Sequence, residues 1–277
     1  MITASIVTFK TRIEELLRIL DCSLNSMKVS TVYVIDNSPN DSLLSVVEQY
    51  SSDRIVYIWG QGNVGYGAGH NMAINRAIAA GARYHVVLNP DIYFDQGTLE
   101  SLEEFMNENH SVGYVMPNVI YPDGSIQRLC KLLPTPFDIF GRRLLPKSWM
   151  KNRNIKYEMH GMGYDKIWEC PNLSGCFMFM RVDVLKQIGG FDDRFFMYFE
   201  DTDLIRRIHE VSKTVFNPEI TIVHAHAAEH RTSKFLLKAS IKSAIQYFNK
   251  WGWLFDKQRR LWNREALSRD NHIVNSN

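Results

Sequence analysis

Leu173 to Ile208 reads LSGCFMFMRVDVLKQIGGFDDRFFMYFEDTDLIRRI, and the rest of the chain is organised around it. The apolar run Cys176 to Met180 predicts a buried strand. A short helix is predicted over Val182 to Ile188, and Gly189-Gly190 suit the left-handed residues that end a helix. After Phe191-Asp192-Asp193 comes an aromatic patch, Phe195-Phe196-Met197-Tyr198-Phe199, which runs into Glu200-Asp201-Thr202-Asp203. A helix is predicted to begin there, because a helix N-terminus favours negative charge. These carboxylates admit two readings. One is a helix cap with solvated acids. The other is a carboxylate held against an aromatic wall of Phe195, Phe196, Tyr198 and Phe199, made more basic by burial and able to act as a general base.

Upstream, Thr3 to Phe9 is a β-branched run that predicts a first strand. Thr11 and Glu14 have capping-box spacing, and the helix they would open puts Ile13, Leu16, Leu17, Leu20 and Leu24 on one face. Thr31 to Ile35 predicts a second strand running into the polar loop Asp36 to Asp41. Open α/β sheets bind ligands at such strand ends. A helix over Ser42 to Tyr50 and a strand over Arg54 to Trp59 complete a β-α-β-α-β order, which predicts a parallel sheet with right-handed crossovers. The segment Gly62-Asn63-Val64-Gly65-Tyr66-Gly67-Ala68-Gly69-His70-Asn71 then leads into a helix reaching Ala80. It is either a turn that brings backbone N–H groups close to a phosphate or a loose connection. It lacks both the dinucleotide G-x-G-x-x-G and the P-loop G-K-[ST]. Tyr84 to Leu88 predicts a fourth strand, stopped by Asn89-Pro90-Asp91, whose proline makes a rigid turn and aims Asp91 beyond the sheet. A helix over Thr98 to Asn109, capped by Asp95, and a strand over Val112 to Pro117 follow. Tyr121 to Ser125 predicts a tight turn. Leu129 to Glu169 reads as irregular, broken by prolines 134, 136 and 146, and is either a solvated loop or a basic lid over an acceptor.

A length of 277 residues with 45% hydrophobic content predicts one large domain with a C-terminal extension. A net charge of +2 argues against a general nucleic-acid binder. Cys22, Cys130, Cys170 and Cys176 form no C-x-x-C pair, so a reducing compartment is expected rather than a disulfide or zinc framework. Neither a leader peptide nor a membrane-spanning apolar window is visible, which suggests the cytoplasm. Lys213 to Val223 predicts the last strand, followed by His224-Ala225-His226-Ala227-Ala228-Glu229-His230-Arg231. A helix is expected over Ser233 to Trp253 and a polar tail over Leu267 to Asn277. From Arg231 to Arg264 there are nine Lys or Arg and one acid, Asp256, with Trp251, Trp253 and Trp262 among them. This stretch is either a peripheral contact with an anionic membrane surface or a packed helix with a solvated basic face.

The string G-G-F-D-x-x-F-F-x-Y-x-E-D-x-D-L-x-x-R, Gly189 to Arg207, resembles the inverting glycosyltransferase family 2, whose catalytic domain is called GT-A, and most resembles its rhamnosyltransferase-type bacterial members. The resemblance implies an α/β GT-A fold over residues 1–230, with a nucleotide-sugar half (1–118), an acceptor half (119–230) and a helical extension (231–277). It implies that Asp201 deprotonates the acceptor hydroxyl, with Gly175 and Glu200 on the acceptor side. Gly65, Gly67 and Asn71 would line the donor site, because residues 63–71 match a family pattern. Asn89-Pro90-Asp91 would stand for the D-x-D metal site, with Asn89 replacing its first acid. Asp91 and His224 would then hold Mg²⁺ or Mn²⁺. Asp36 would meet the nucleotide base beside Thr8, and Arg231 would neutralise the leaving diphosphate. The implied partners are a nucleotide diphosphate sugar, such as dTDP-rhamnose or a UDP-sugar, and a glycan or lipid-linked glycan of bacterial surface polysaccharide such as O-antigen. Two other classes compete. A sugar-nucleotide pyrophosphorylase needs a glycine-bearing phosphate loop after the first strand, where this chain has Phe9-Lys10-Thr11-Arg12. A non-catalytic binding subunit would tolerate loss of Asp91 or Asp201, and both are present.

Overall fold

The structure, a computed structural model, describes residues 1–50, 52–225 and 234–268. The elements run β1 (Ile2–Thr8), α1 (Ile13–Leu24), β2 (Val29–Asp36), α2 (Leu44–Gln49), β3 (Ile55–Ile58), α3 (Tyr66–Ala79), β4 (Tyr84–Leu88), β5 (Ile92–Tyr93), α4 (Thr98–Glu108) and β6 (Val112–Ile120). They continue as α5 (Arg142–Leu144), α6 (Lys147–Tyr157), β7 (Trp168–Glu169), β8 (Phe177–Arg181), α7 (Val182–Ile188), α8 (Glu200–Val211), β9 (Lys213–His224), α9 (Lys234–Trp251) and α10 (Lys257–Leu267).

One sheet runs in the order β3-β2-β1-β4-β8-β6-β9-β5, with β7 also paired to β9. β1 to β4 are mutually parallel. β8 enters antiparallel between β4 and β6, and β6 pairs parallel with β9. Consequently β1, β2, β4, β6 and β9 all end at one edge of the sheet, and β8 begins there. All residues of β1 and β4 are buried, as β-branched central strands covered on both faces should be. Helices cover the sheet through Leu16, Ile19 and Leu20 of α1, Leu99, Leu102 and Met106 of α4, and Leu204, Ile205 and Ile208 of α8. Inside the core, Ser5 Oγ lies 2.7 Å from His70 Nδ1 and 2.8 Å from His85 Nε2. Burial holds both imidazoles below their ordinary range, His85 at about 3.

The local expectations fare unevenly. β4 and α7 have the predicted limits, Gly189 and Gly190 are left-handed, and Tyr121 to Ser125 closes a hairpin through the Ile120–Ile126 bridge. The capping box does not form: Thr11 Oγ1 accepts from Phe9 N, and Ile13 is 44% exposed. The stretch expected to be irregular, Leu129 to Glu169, holds α5, α6 and β7. Asp138 orders it, accepting from Thr135 and ion-pairing with Arg153.

The C-terminal helices are part of the packing. Phe195 is buried with Ala244, Tyr247 and Phe248 of α9, and Phe199 packs on the same cluster. Arg206 of α8 and Asp256 form a buried two-point ion pair at 2.7 and 2.8 Å. The Arg206 guanidinium lies 4.1 Å from the Trp251 ring centre, and Trp262 packs edge-on against His209. Trp251 and Trp262 are therefore half-buried in contacts within the chain, as the packed-helix alternative has it for these two side chains.

Candidate active site

Asp201 stands in the first turn of α8, where the aromatic patch turns into the helix. Tyr198 and Phe199 both have φ of +66°. Left-handed backbone costs a side-chain-bearing residue about 1–2 kcal/mol. The packing of Phe199 on Tyr247, at 5.3 Å between ring centres, and a hydrogen bond from Ser243 Oγ to Met197 O hold the turn. The turn presents the Asp201 carboxylate to the segment just before β8. Its Oδ2 accepts from Gly175 N at 3.1 Å and its Oδ1 from Thr202 N at 2.7 Å. A Cβ on Gly175 would sit 2.7 Å from Asp201 Cβ, so this approach needs glycine.

Beside it opens a cleft of about 210 Å³ lined by Ile139, Tyr157, Tyr198, Phe199, Glu200 and Asp201, with Thr202 and Ser240. The structure divides the three acids. Asp203 is fully buried and structural, ion-paired with Arg207 and Lys250 and accepting from the Trp251 indole. Glu200 is buried, and its Oε2 has no hydrogen-bond partner among the described residues. Burial, and then the charge of Asp201, push Glu200 well above the ordinary carboxylate range. The aromatic wall expected around Asp201 is thus only partly there. Phe195 and Phe199 pack towards α9, and the desolvation falls on Glu200.

The other candidates lie along the same sheet edge. Tyr66 links them: its hydroxyl is 2.9 Å from Asn89 Oδ1 and 2.8 Å from the Gly175 carbonyl. At the end of β4, the Asn89-Pro90-Asp91 turn brings Asp91 Oδ2 within 3.3 Å of His224 Nε2. Gln127 fixes that imidazole, with Oε1 3.0 Å from His224 Nδ1 and Nε2 donating to the His224 carbonyl. Burial opposes the charged imidazole, but hydrogen bonds to Asp91 and Cys176 outweigh it and push His224 up to about 10. One carboxylate oxygen and one imidazole nitrogen converging at a strand end fit a Mg²⁺ or Mn²⁺ ion that also takes diphosphate oxygens and water. No group of three or more His, Cys, Asp or Glu is gathered for a metal among the described residues, so protein ligands alone do not complete such a site.

Asp36 and Thr8 are register partners, side by side and buried at the ends of β2 and β1. Asp36 Oδ2 accepts from Tyr57 and Oδ1 from Ser38 N. The glycine-rich segment packs closely against the loop at residues 191–196. A Cβ at Gly65 would lie 2.3 Å from Phe196 O, and one at Gly67 2.9 Å from Phe191 Cβ. At both positions glycine is needed for this close packing, whatever ligand the segment meets. The Asn71 amide is likewise committed to that loop, donating to Phe191 O and Asp193 and accepting from Phe191 N. Arg231 lies outside the described residues. Tyr66, Gln127 and Tyr157 were missed in sequence. Tyr66 at the mouth of the glycine-rich turn was the visible signal among them.

The sequence profile of glycosyl transferase family 2 matches residues 5–189. N-acetylglucosaminyl-diphospho-decaprenol L-rhamnosyltransferase of Mycobacterium tuberculosis is 25% identical over 250 residues, covering 78% of this chain and 77% of the relative. The low-salt glycan biosynthesis hexosyltransferase Agl10 of Haloferax volcanii is 30% identical over 184 residues, and the aligned part covers 65% of this chain and 53% of that relative. Among solved structures, the mannosyltransferase PcManGT from Pyrobaculum calidifontis, in complex with GDP-Man and Mn²⁺, superposes with a TM-score of 0.59 at 15% identity, covering 90% of this chain and 63% of that one. S. aureus TarS 1–349 in complex with UDP-GlcNAc superposes with a TM-score of 0.58 at 17% identity, covering 98% of this chain and 74% of that one. At these identities the structural likeness shows the fold alone.

Proposed function

The chain belongs to glycosyl transferase family 2 and is a glycosyltransferase, and from that premise we propose that it moves one hexose or deoxyhexose, with inversion, from a nucleotide diphosphate donor to a hydroxyl of a lipid-linked glycan. The observation that carries the reading is the Asp201 carboxylate, fixed at a cleft by the Gly175 and Thr202 N–H groups. The rhamnosyl and lipid-linked parts draw on the mycobacterial relative's name, and the nucleotide-sugar donor on those bound by the structural neighbours. The alternative of a pyrophosphorylase yields to the family assignment.

In this mechanism Asp201 takes the proton from the acceptor hydroxyl as its oxygen attacks the anomeric carbon in line with the departing diphosphate. Glu200, buried beside Asp201 at the cleft and raised above the ordinary carboxylate range, would lie on the acceptor side. The Asp201 backbone anchors leave the orientation of the carboxylate little freedom, so the reactive oxygen need not be ordered during the reaction. Asp91 and His224 would hold a divalent metal, which when bound offsets charge on the diphosphate. Asp36 and Thr8 would frame the nucleotide. The polysaccharide served, including O-antigen, follows from the acceptor and belongs to this reading.

The test is the initial transfer rate of Asp201→Asn at saturating donor, with nucleoside diphosphate release followed alongside. Transfer should fall about 10²- to 10⁴-fold while donor affinity stays at the parent's value. Near-parent turnover in this variant would remove Asp201 as the base. Failure of the parent to release nucleoside diphosphate with any donor and acceptor pair would favour the non-catalytic binding subunit.

A further inference from the structure

We propose that the outward face of α9, continued by the tip at residues 253–255, is a docking surface for an anionic phospholipid bilayer. Helical periodicity builds the face. Lys234, Lys238 and Lys242 recur at i, i+4 and form one ridge, and all three are exposed. Leu237, Ile241 and Ile245 recur at the same spacing beside it, with 49%, 36% and 40% of their surface exposed. A shallow groove runs between the ridges, lined by Lys238, Ile241, Lys242, Ile245 and Gln246. The α9 sequence contains no acidic residue. The three ridge lysines make no ion pair with any described residue, whereas Lys250, on the inner side, is paired with Asp192 and Asp203. No described residue thus balances the positive charge of the ridge.

The adjoining surface has the same character. Arg143 donates to Ser240 of α9, and the next residue, Leu144, is 80% exposed. One turn before it, Phe140 stacks on Trp253 at 6.1 Å and 11°. Beyond Trp253 the chain presents Leu254 and Phe255, 69% and 87% exposed, followed by exposed Lys257 and Arg260. Single exposed apolar residues are ordinary, but apolar tips grouped among unpaired cations mark a surface that meets something. Lysines bound for phosphate headgroups beside aliphatic and aromatic groups that enter the headgroup boundary match the chemistry of an anionic lipid surface.

The geometry also gives the contact a use. The inner side of α9 forms part of the cleft: Ser240 lines it with Asp201, and Ser243 holds Met197. A bilayer on the outer face would set the cleft close to the headgroups, where the sugar of a lipid-linked acceptor is presented. That purpose rests on the acceptor reading above; the surface itself does not. No helix among the described residues is long and apolar enough to cross a membrane, so the contact would be peripheral.

The full chain is sedimented with vesicles of phosphatidylcholine alone and of phosphatidylcholine mixed with phosphatidylglycerol. The parent should partition onto the mixed vesicles at least tenfold more strongly and be released by salt, since screening acts within roughly 10 Å at ~0.1 M. Replacing Lys234, Lys238 and Lys242 together by Gln should weaken partition about a hundredfold, at about fivefold for each lysine. Leu254→Ser with Phe255→Ser should abolish the part of the binding that resists salt. Thermal melting of each variant checks that it is folded. Equal partition onto neutral vesicles, or parent-like partition by the lysine triple variant, overturns the proposal. So does self-association in solution that Ile241→Glu abolishes, because the face would then meet a second copy. Transfer to a soluble acceptor is measured in parallel. The docking reading fails without affecting it, and Asp201→Asn should lose transfer while partitioning like the parent.

Discussion

Gly175→Ala tests whether the base is held by its backbone neighbour. The added Cβ would lie 2.7 Å from Asp201 Cβ, 3.1 Å from Oδ2 and 3.2 Å from Cγ. To reach ordinary contact, either β8's first residues or the start of α8 must give by roughly 0.7 Å or more. Neither moves easily. Gly175 is tied through its carbonyl to Tyr66, and Asn89 N bonds to the Cys176 carbonyl. α8 is tied at Asp203 and Arg206. The carboxylate therefore takes much of the shift and loses its N–H bond from residue 175. A displacement of about 1 Å in a reacting group can cost on the order of 10²-fold in rate. The variant should lose about that factor in transfer at saturating donor, with nucleoside diphosphate affinity unchanged, because Gly175 packs against the base. Initial rates measure the first quantity and calorimetric titration the second. Turnover within threefold of the parent, in a protein with the parent's melting temperature, would refute the claim that this contact sets the base.

Glu200→Gln should cost less than about tenfold in transfer, since the backbone N–H anchors at the cleft belong to Asp201 and Glu200 Oε2 has no hydrogen-bond partner among the described residues; a loss as large as that of Asp201→Asn would give Glu200 the proton-taking role. Asp256→Asn should destabilise the fold by about 3–5 kcal/mol, leaving Arg206 buried without a counter-charge. Scanning calorimetry should show a fall in Tm of order 10 °C, and a shift below about 2 °C would show that the pair is dispensable. For the metal-free protein, His224 is raised to about 10 in the folded state, so the native state binds more protons than the unfolded one between its ordinary value and that point. The stability it contributes is complete below pH ~6.5 and is lost as pH rises towards about 10. Tm should decline over that window in the parent and more weakly in His224→Gln; parallel profiles would dismiss the ion pair with Asp91. Asp91→Ala should weaken nucleoside diphosphate binding more in the presence of Mn²⁺ than without it, and equal losses in the two titrations would dismiss Asp91 as a metal ligand.

Strands were legible where one force dominated. β4 is an apolar β-branched run stopped by proline, and both signals are local, so its limits could be read directly. The same holds for α7, whose end is marked by two glycines with left-handed backbone. The α1 cap was misread because Thr11 Oγ1 had a second option, its neighbour's N–H, and took it. Residues 129–169 looked irregular because their order comes from distant partners: Lys131 pairs with Asn172, and Asn263 of α10 holds the Leu133 backbone. The glycine-rich segment shows a further limit. Sequence marks where a side chain is excluded but not what excludes it, and here protein backbone and Phe191 do so. Among the carboxylates of 200–203 the family resemblance pointed to Asp201, but residue type alone did not show what holds each one. Packing separates a buried Glu200, an anchored Asp201 and a salt-bridged Asp203.

The family profile ends at residue 189, before the Glu200-Asp201 pair, so the case for the base rests on what positions α8. Much of that comes from the C-terminal helices. Asp203, two residues after Asp201, is bonded to Lys250 and to the Trp251 indole of α9. Arg206, one turn further, is clamped by Asp256 and covered by Trp251. Ser243 and Phe248 of α9 secure the left-handed turn at 197–199. A strained turn persists only where its surroundings over-determine it. Here they do so from a segment outside the family match. The extension is thus a structural condition for the orientation of Asp201, and on the opposite face of the same helix lie the unpaired lysines.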